Sequence, residues 1–521
     1  MATTQPIVST GRDAGNDIRI EEEQIGRSHT NEEGILKNGP MVDKVDQFGS
    51  HTKTDPREIA LVKKLDWHIL VRKPVPFEGQ VYRRVLRLIC PRPNQPILWL
   101  MYLFNYLDRN ALVNARLDDL EKRLNLVGTE YNTCVSILFV GYIAFQIPSN
   151  MILTRVKPSW YMAGFCLAWS IISLLTYLAH DYSTMVAFRF LLGVTEAPFY
   201  PGALYVISMF YTRKEIAVRM SWFFTANMLA SAVSPLIAAG VFSGLGGARG
   251  LAGWQWLFII QGALSIVVAI MAFFMLPDHP LTTRWLSERE KQLAHARICM
   301  DTTDLAEGTS VWLGLKQAAA DWRTWVLVLM YNFHLSSISF QNFLPTVLQT
   351  LVEDRIMSLV LTFPPYLFAA VMAVVMGKTS GHFNERTWHI TVCKSIVIIG
   401  FVLPVATFNV PARMVGIFLF VGFTFGINNI ILGWVSSTLG QTNEKKSVSL
   451  AIANSLGNMS SIYMPYIWDK QFAPRYIPPW LASIAFSAGC VALAWSLKLA
   501  LKRQNKKMKE RDPTETNFYV Y

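Results

Sequence analysis

Four charged residues fall inside apolar stretches of this chain. Asp108 and Arg109 lie in PILWLMYLFNYLDRNALVNA, and Arg189 and Glu196 lie in FRFLLGVTEAPFYPG. A charged side chain at the centre of a bilayer costs about 2.5–3.5 kcal/mol on insertion scales, so each must face a cavity or a partner. If the stretches are helical, Asp108 and Arg109 sit roughly 18 Å along theirs, past the midplane. Arg189 and Glu196 are about two turns apart and share one face. Two readings are open. The four charges brace neighbouring helices as buried ion pairs, or they form a proton relay beside an anion site. Arg keeps its proton and suits a carboxylate ligand. Substrate binding to such an Arg weakens its hold on a neighbouring carboxylate and favours protonation of that carboxylate. Proton uptake and anion binding would thereby be coupled.

Other polar groups fall in apolar stretches too: Tyr142 and Gln146, Asn227, Tyr331, Asn332, His334, Gln341 and Asn342, Asn428 and Asn429, Asn454 and Asn458. Each one alone reads more readily as a helix–helix hydrogen bond. Tyr142, Asn227, Tyr331, Asn428 and Asn454 are the candidates for substrate contact beside Arg109. His334 is titratable, yet a satisfied interhelical histidine is the preferred reading of it.

The elements that must position these groups are long apolar helices. The chain has 521 residues, 52% hydrophobic and 16% charged, where a soluble domain averages about 25% charged. A bilayer core of about 30 Å needs roughly 20 apolar residues per helix. Such stretches lie near 96–113, 131–153, 159–178, 184–208, 217–242 and 254–276. A second group lies near 324–350, 356–377, 387–408, 411–438, 447–468 and 478–500. The expected fold is therefore an all-α polytopic membrane protein of twelve helices. Residues 96–276 form an N-terminal six-helix half and 324–500 a C-terminal one, with a central site between them. Residues 1–66 read as a disordered tail, 67–95 as a basic juxtamembrane segment, 277–323 as a central loop and 501–521 as a basic tail. In the central loop, Ser287 and Glu290 form a capping-box pattern at the start of a surface helix. Pro148 predicts a kink and Pro345 an interruption. APFYPG (197–202) predicts a bend, and GINNIILG (426–433) either close packing or a break.

The formal charge is +12. Lys and Arg gather in one alternate set of connections and in the tails, as cytoplasmic loops do, so both termini are expected in the cytoplasm. That placement makes nucleic acid an unneeded partner. The partners expected are a small organic anion, protons and the lipid bilayer, acting on a monomer. The six cysteines show no CxxC or metal spacing, so neither a disulfide framework nor a zinc site is expected. The N-terminus has no apolar core of a signal peptide. There is no GxxxxGK[ST] phosphate loop and no nucleophile elbow. No cofactor and no enzymatic activity are expected; a proton gradient would be the driving force.

The quoted stretches resemble a known family. NYLDRNALVNARL (105–117), PSN (148–150), RFLLGVTEAPFYPGALYVISMFYTRKEIAVRMSWFF (189–224) and FLPT (343–346) are similar to motifs of the anion:cation symporters within the major facilitator superfamily. QTNEKKSVSLAIANSLGNMSSIYMPYIW (441–468) resembles the fungal branch with permeases for allantoate, nicotinate and pantothenate. The resemblance implies that Arg109 contacts the substrate anion, that Asp108 and Glu196 exchange protons, and that Arg189 switches between them. It implies a substrate-facing Tyr142. The loop SGHFNER (380–386) departs from the family, with Gly381 where relatives carry Asp in a gating motif, which points to a weaker or different inner latch.

Relatives run from a segment like KKLDWHIL (63–70) directly into one like PILWLMYLFNYLDR (96–109), whereas residues 71–95 intervene here. That block starts with Val, whose codon begins GT, and ends with Gln, whose codon can be CAG. A retained intron translated in frame and a genuine basic amphipathic insertion both fit. The expected function is proton-coupled import of a small carboxylate by alternating access at the plasma membrane. Rival readings are an exporter of an acidic secondary metabolite and a nutrient sensor that does not transport.

Overall fold

The computed structural model describes residues 56–69, 97–153, 156–211, 213–283, 286–302, 311–352, 354–383, 385–439 and 443–511. The block 71–95, most of the N-terminal tail and residues 512–521 lie outside the described residues. The chain divides into two compact units, residues 1–64 and 65–521. Helix α1 (Pro56–Ile69) spans the boundary between them. It covers the last residues of the stretch read as a tail, because PREIALVKKLDWHI has Pro and Glu in its first turn and apolar residues at helical spacing.

In the second unit the first six apolar stretches form α2 (Ile97–Ala115), a single turn α3 (Leu120–Arg123), α4 (Glu130–Leu153), α5 (Pro158–Leu175), α6 (Tyr182–Glu196) with α7 (Phe199–Phe210), α8 (Arg213–Leu245) and α9 (Gly253–Met275). The central connection holds α10 (Glu288–Thr302) and α11 (Val311–Ala320). The second six are α12 (Trp322–Ile338) with α13 (Leu344–Val352), α14 (Arg355–Val360) with α15 (Phe363–Phe383), α16 (Thr387–Ala406), α17 (Val410–Thr438), α18 (Asn443–Asn458) with α19 (Ser460–Ile467), and α20 (Ile477–Arg511). Helical segments thus fall within each stretch expected to be helical, several of them interrupted by turns. Among the described residues, eight helical spans are long and apolar enough to cross a membrane.

The breaks follow local chemistry. The bend expected at APFYPG falls between α6 and α7, where Pro198 supplies no N–H. The seventh stretch stops at Ile338, passes through a 3₁₀ turn (Ser339–Asn342) and restarts with Pro345 in the first turn of α13. GINNIILG does not break; α17 runs through it. A Cβ on Gly426 would lie 3.1 Å from the Met376 Cβ, so close packing against α15 is the outcome. The capping box of α10 forms: Ser287 N donates to Glu290 at 2.8 Å and Glu290 N to Ser287 Oγ at 3.4 Å.

Polar contacts mark the two ends of the bundle. At the end where α2 begins, Arg219 on α8 clasps Asp66 with both Nε and Nη2, at 3.0 and 2.9 Å. Lys445 at the start of α18 meets Asp321, the N-cap of α12, at 2.7 Å. Lys498 on α20 meets Glu385 at 2.5 Å. At the opposite end Asp118 joins Arg355 across the two sets of six helices at 2.7 Å and accepts from Trp254 N at 2.8 Å. Thr133 and Ser136 on α4 reach α19 there, through the Tyr466 hydroxyl and the Ile462 carbonyl.

Candidate functional site

Adjacent residues on a helix point about 100° apart, so Asp108 and Arg109 cannot serve one spot. Asp108 turns away from the bundle centre and is fully buried. Its two oxygens accept from Ser173 Oγ on α5 and Ser265 Oγ on α9, each at 2.8 Å. Arg109 turns inward and forms an ion pair with Glu196 at the end of α6. Its guanidinium lies over the rings of Tyr142, Tyr106 and Phe139, with centroids 4.9, 5.3 and 5.9 Å away. These ring faces attract the cation and fix its plane.

The shared face of Arg189 and Glu196 does not become a pair. Glu196 turns to Arg109 on the facing helix, because two turns along one helix, roughly 10 Å, exceed hydrogen-bond reach. The Arg189 Nε reaches the Cys134 carbonyl at 3.5 Å, and its Nη1 is buried with no hydrogen-bond partner. The Glu196 Oε1 has none either. What brings α6 against α4 is a pair of glycines. A Cβ on Gly193 would sit 1.9 Å from the Leu138 carbonyl oxygen, and one on Gly141 would sit 2.5 Å from that of Phe190.

A cavity of about 120 Å³, measured to the centres of water-sized molecules, lies between the two sets of six helices. That is room for several waters, or a small organic molecule. Arg109, Arg189, Glu196, Tyr142, Asn227, Tyr331, Asn428 and Asn454 all line it, so the structure brings together every site residue singled out in the sequence except Asp108. The charged lining comprises two guanidiniums and one carboxylate. Across the cavity, the Tyr331 hydroxyl donates to Asn428 Oδ1 at 3.0 Å. Among the described residues no group of three or more His, Cys, Asp or Glu could hold a metal ion.

Sequence reasoning missed part of the wall: Tyr102, Asn105, Tyr106 and Asn110 on α2, and Tyr200 and Phe425 elsewhere. Those on α2 recur around Arg109 at three- and four-residue spacing, a signal that was available. It also missed Lys394, fully buried on α16 within the apolar run TVCKSIVIIGF. A lone Lys in such a run is as expensive as the four charges that were noticed.

Residues 98–465 match the profile of the Major Facilitator Superfamily. The major facilitator-type transporter hxnP of Emericella nidulans is 28% identical over 424 residues, covering 79% of this chain and 84% of that protein. The MFS-type transporter efuF of Hormonema carpetanum is 30% identical over 409 residues, 76% of this chain and 81% of the relative. Among solved structures, a D-xylose-proton symporter aligns with a TM-score of 0.57 at 14% identity, over 76% of this chain and 95% of its own. A bacterial homologue of the human lysosomal transporter Spinster, inward-facing and occupied, aligns with 0.54 at 16% identity, over 81% and 96%.

Proposed function

The chain belongs to the Major Facilitator Superfamily and is a membrane transporter rather than an enzyme; from that premise we propose that it carries a small organic anion, coupled to protons, by alternating access at the central cavity. The observation that supports this reading is the charge of the cavity wall. Two guanidiniums face one carboxylate, so a monocarboxylate would complete the balance. In a cavity lined by Tyr and Phe rings, an uncompensated guanidinium is a strong recruiter of carboxylate. The rings and Asn side chains around it supply the apolar surface and hydrogen bonds that small-molecule sites combine.

Coupling follows from competition. Arg109 holds Glu196. A substrate carboxylate on Arg109 displaces Glu196, which then takes up a proton or turns to Arg189, whose Nη1 is free to receive it. Asp108 stands behind the wall as the second acid, within reach of the same helix but held by two serines. The resemblance to the anion:cation symporters, and to their fungal permeases for vitamin-like acids, favours import at the plasma membrane by a monomer. The distribution of Lys and Arg favours cytoplasmic termini.

The test is uptake of radiolabelled nicotinate, pantothenate and allantoate in a permease-deficient yeast. Uptake of at least one should rise as external pH falls and collapse with a protonophore. Arg109→Ala should lower it at least about tenfold, in line with the loss of a charge-assisted pair. Uptake indifferent to both pH and protonophore rejects the coupling. Full uptake in Arg109→Ala rejects the anion site.

A further inference from the structure

Asp108 has no direct path to water through the site described above. It is fully buried, and it does not line the cavity. Its side-chain partners are the hydroxyls of Ser173 on α5 and Ser265 on α9, each at 2.8 Å. An acid that exchanges protons needs a donor within hydrogen-bond reach or one water away. The serine hydroxyls can relay a proton only if something beyond them supplies it.

Helix α9 points to that supply. One turn before Ser265 stands Gln261, 1% exposed, and among the described residues neither its Nε2 nor its Oε1 has a hydrogen-bond partner. Flipping the amide cannot mend this, since donor and acceptor are both unpaired. Residues four apart on a helix lie side by side, about 5–6 Å between Cβ atoms, so Gln261 shares a face with the hydroxyl that holds Asp108. The level is fixed from α5 as well. A Cβ on Gly262, next to Gln261, would sit 2.6 Å from the Leu174 Cα, and Leu174 follows Ser173. A buried amide with both ends unmet is expensive. A water between Gln261 and Ser265 would satisfy it and gain polar partners of its own.

The same face continues toward the end of the bundle where α9 starts. Two turns before Gln261 is Trp254, whose indole Nε1 is also buried without a partner among the described residues. Residues 254, 261 and 265 fall within about 40° of one another around the helix. Trp254 lines a pocket at that end together with Arg123 and His180. Between Trp254 and Gln261 stands Phe258, edge-on to Trp254 with centroids 6.2 Å apart, so a water passes there only when that ring swings aside. Helix α9 carries no titratable side chain. The titratable and charged groups that act on Asp108 from other elements are Cys166 on α5, and Glu196 and Arg189 on α6.

We infer that Gln261 is a positioning residue, holding a water through which Asp108 takes its proton from that pocket along α9, apart from the substrate cavity. The transfer balances: the water gives its extra proton to Ser265 Oγ as the hydroxyl proton passes to Asp108 Oδ2. The carboxylate becomes an acid, and the hydroxyl is restored. A separate proton route lets Asp108 titrate while substrate fills the cavity. The inference rests on the proton-coupled reading above.

The test follows the Asp108 carboxyl itself and needs no substrate. Purified full-length protein in lipid bilayers is examined by attenuated-total-reflection infrared spectroscopy from acid to neutral pH. The Asp108 carboxylic acid band is identified by its loss in Asp108→Asn, and its shift after H2O buffer is replaced by D2O gives the exchange rate. Exchange should slow severalfold in Gln261→Met, which keeps the length of the side chain and removes both hydrogen-bonding atoms. It should stay near the parent rate in Gln261→Asn, which keeps an amide. If Gln261→Met does not fold, the exposed His180 offers a second arm. His180→Cys, with Cys90 and Cys299 replaced by Ser, is labelled with a bulky maleimide to close the pocket, and exchange should slow likewise. The parent rate in Gln261→Met, or in labelled His180→Cys, overturns the inference and assigns the supply to the cavity, by way of Asn105 one turn before Asp108. Absence of an Asp108 band at every pH overturns the proton reading of Asp108 and this inference with it, so the two failures read differently.

Discussion

At the scale of the residue, two neighbours on α2 lead separate lives. Arg109 faces the cavity and Glu196, and Asp108 faces two serines on other helices. Asp108→Asn keeps the volume and one acceptor, and a serine hydroxyl can rotate to accept from the new amide. This variant should fold with an apparent unfolding temperature close to that of the parent. Asp108→Ala leaves two buried hydroxyls without their acceptor and opens a small void. It should lose about 2 kcal/mol or more, read as a drop of several degrees in a fluorescence melt. Equal melts for the two variants would mean that the serines find partners elsewhere. The serines themselves were invisible in the sequence as ligands of Asp108, because Ser173 and Ser265 lie 65 and 157 residues away along the chain.

At the scale of the element, helix contacts are set by what is missing as much as by what is present. Gly193→Ala places a methyl where the Leu138 carbonyl stands, and backbone cannot yield as a side chain can. Overpacking of a core costs about 1–3 kcal/mol and rises with backbone displacement. The variant should show reduced folded yield in size-exclusion chromatography, whereas Gly164→Ala, which meets nothing within 4 Å, should not. Outside the membrane, Asp321 caps α12 through Arg323 N at 3.0 Å and pairs with Arg323 and Lys445. Burial pushes its carboxyl up, but these hydrogen bonds and cations outweigh burial and hold it at about 2. A depressed value stabilises the fold above the ordinary Asp range near about 4. That contribution is lost as pH falls from there through about 2. The difference in unfolding temperature between the parent and Asp321→Asn should therefore be constant above about pH 5 and shrink below about pH 4. A gap that persists at pH 2.5 would assign the effect to capping alone.

At the scale of the whole second unit, the two sets of six helices meet at the end opposite the start of α2 through Asp118 and Arg355. Asp118 is nearly buried and also caps the start of α9 through Trp254 N. One carboxylate therefore ties the turn after α2 to both α9 and α14. Arg355→Ala should loosen that end and let reagents reach the cavity from it. The measurement is labelling of Asn110→Cys, a cavity position, with an impermeant thiol reagent applied from that side. Cys134, Cys166, Cys393 and Cys490 are buried and give little background once Cys90 and Cys299 are replaced by Ser. Labelling should quicken severalfold; an unchanged rate would show that Asp118–Arg355 is no latch.

By itself the sequence determined where the helices lie and which residues had to be explained. Apolar length and the expense of buried charge are local properties, readable from a window of about 20 residues. It also carried the cluster of Arg109, Glu196, Tyr142, Tyr331 and the cavity asparagines, since polar groups in apolar helices have few places to go. The tertiary structure alone decided who partners whom. Glu196 goes to Arg109 rather than to Arg189, Asp108 leaves the cavity for two serines, and the His334 ring stays without a hydrogen-bond partner while Lys394 donates to Ser337. Those outcomes depend on the rotation of each helix about its axis and on the close approach that Gly141 and Gly193 permit. Helix rotation and approach are set by neighbours far away in the chain, which no local pattern encodes.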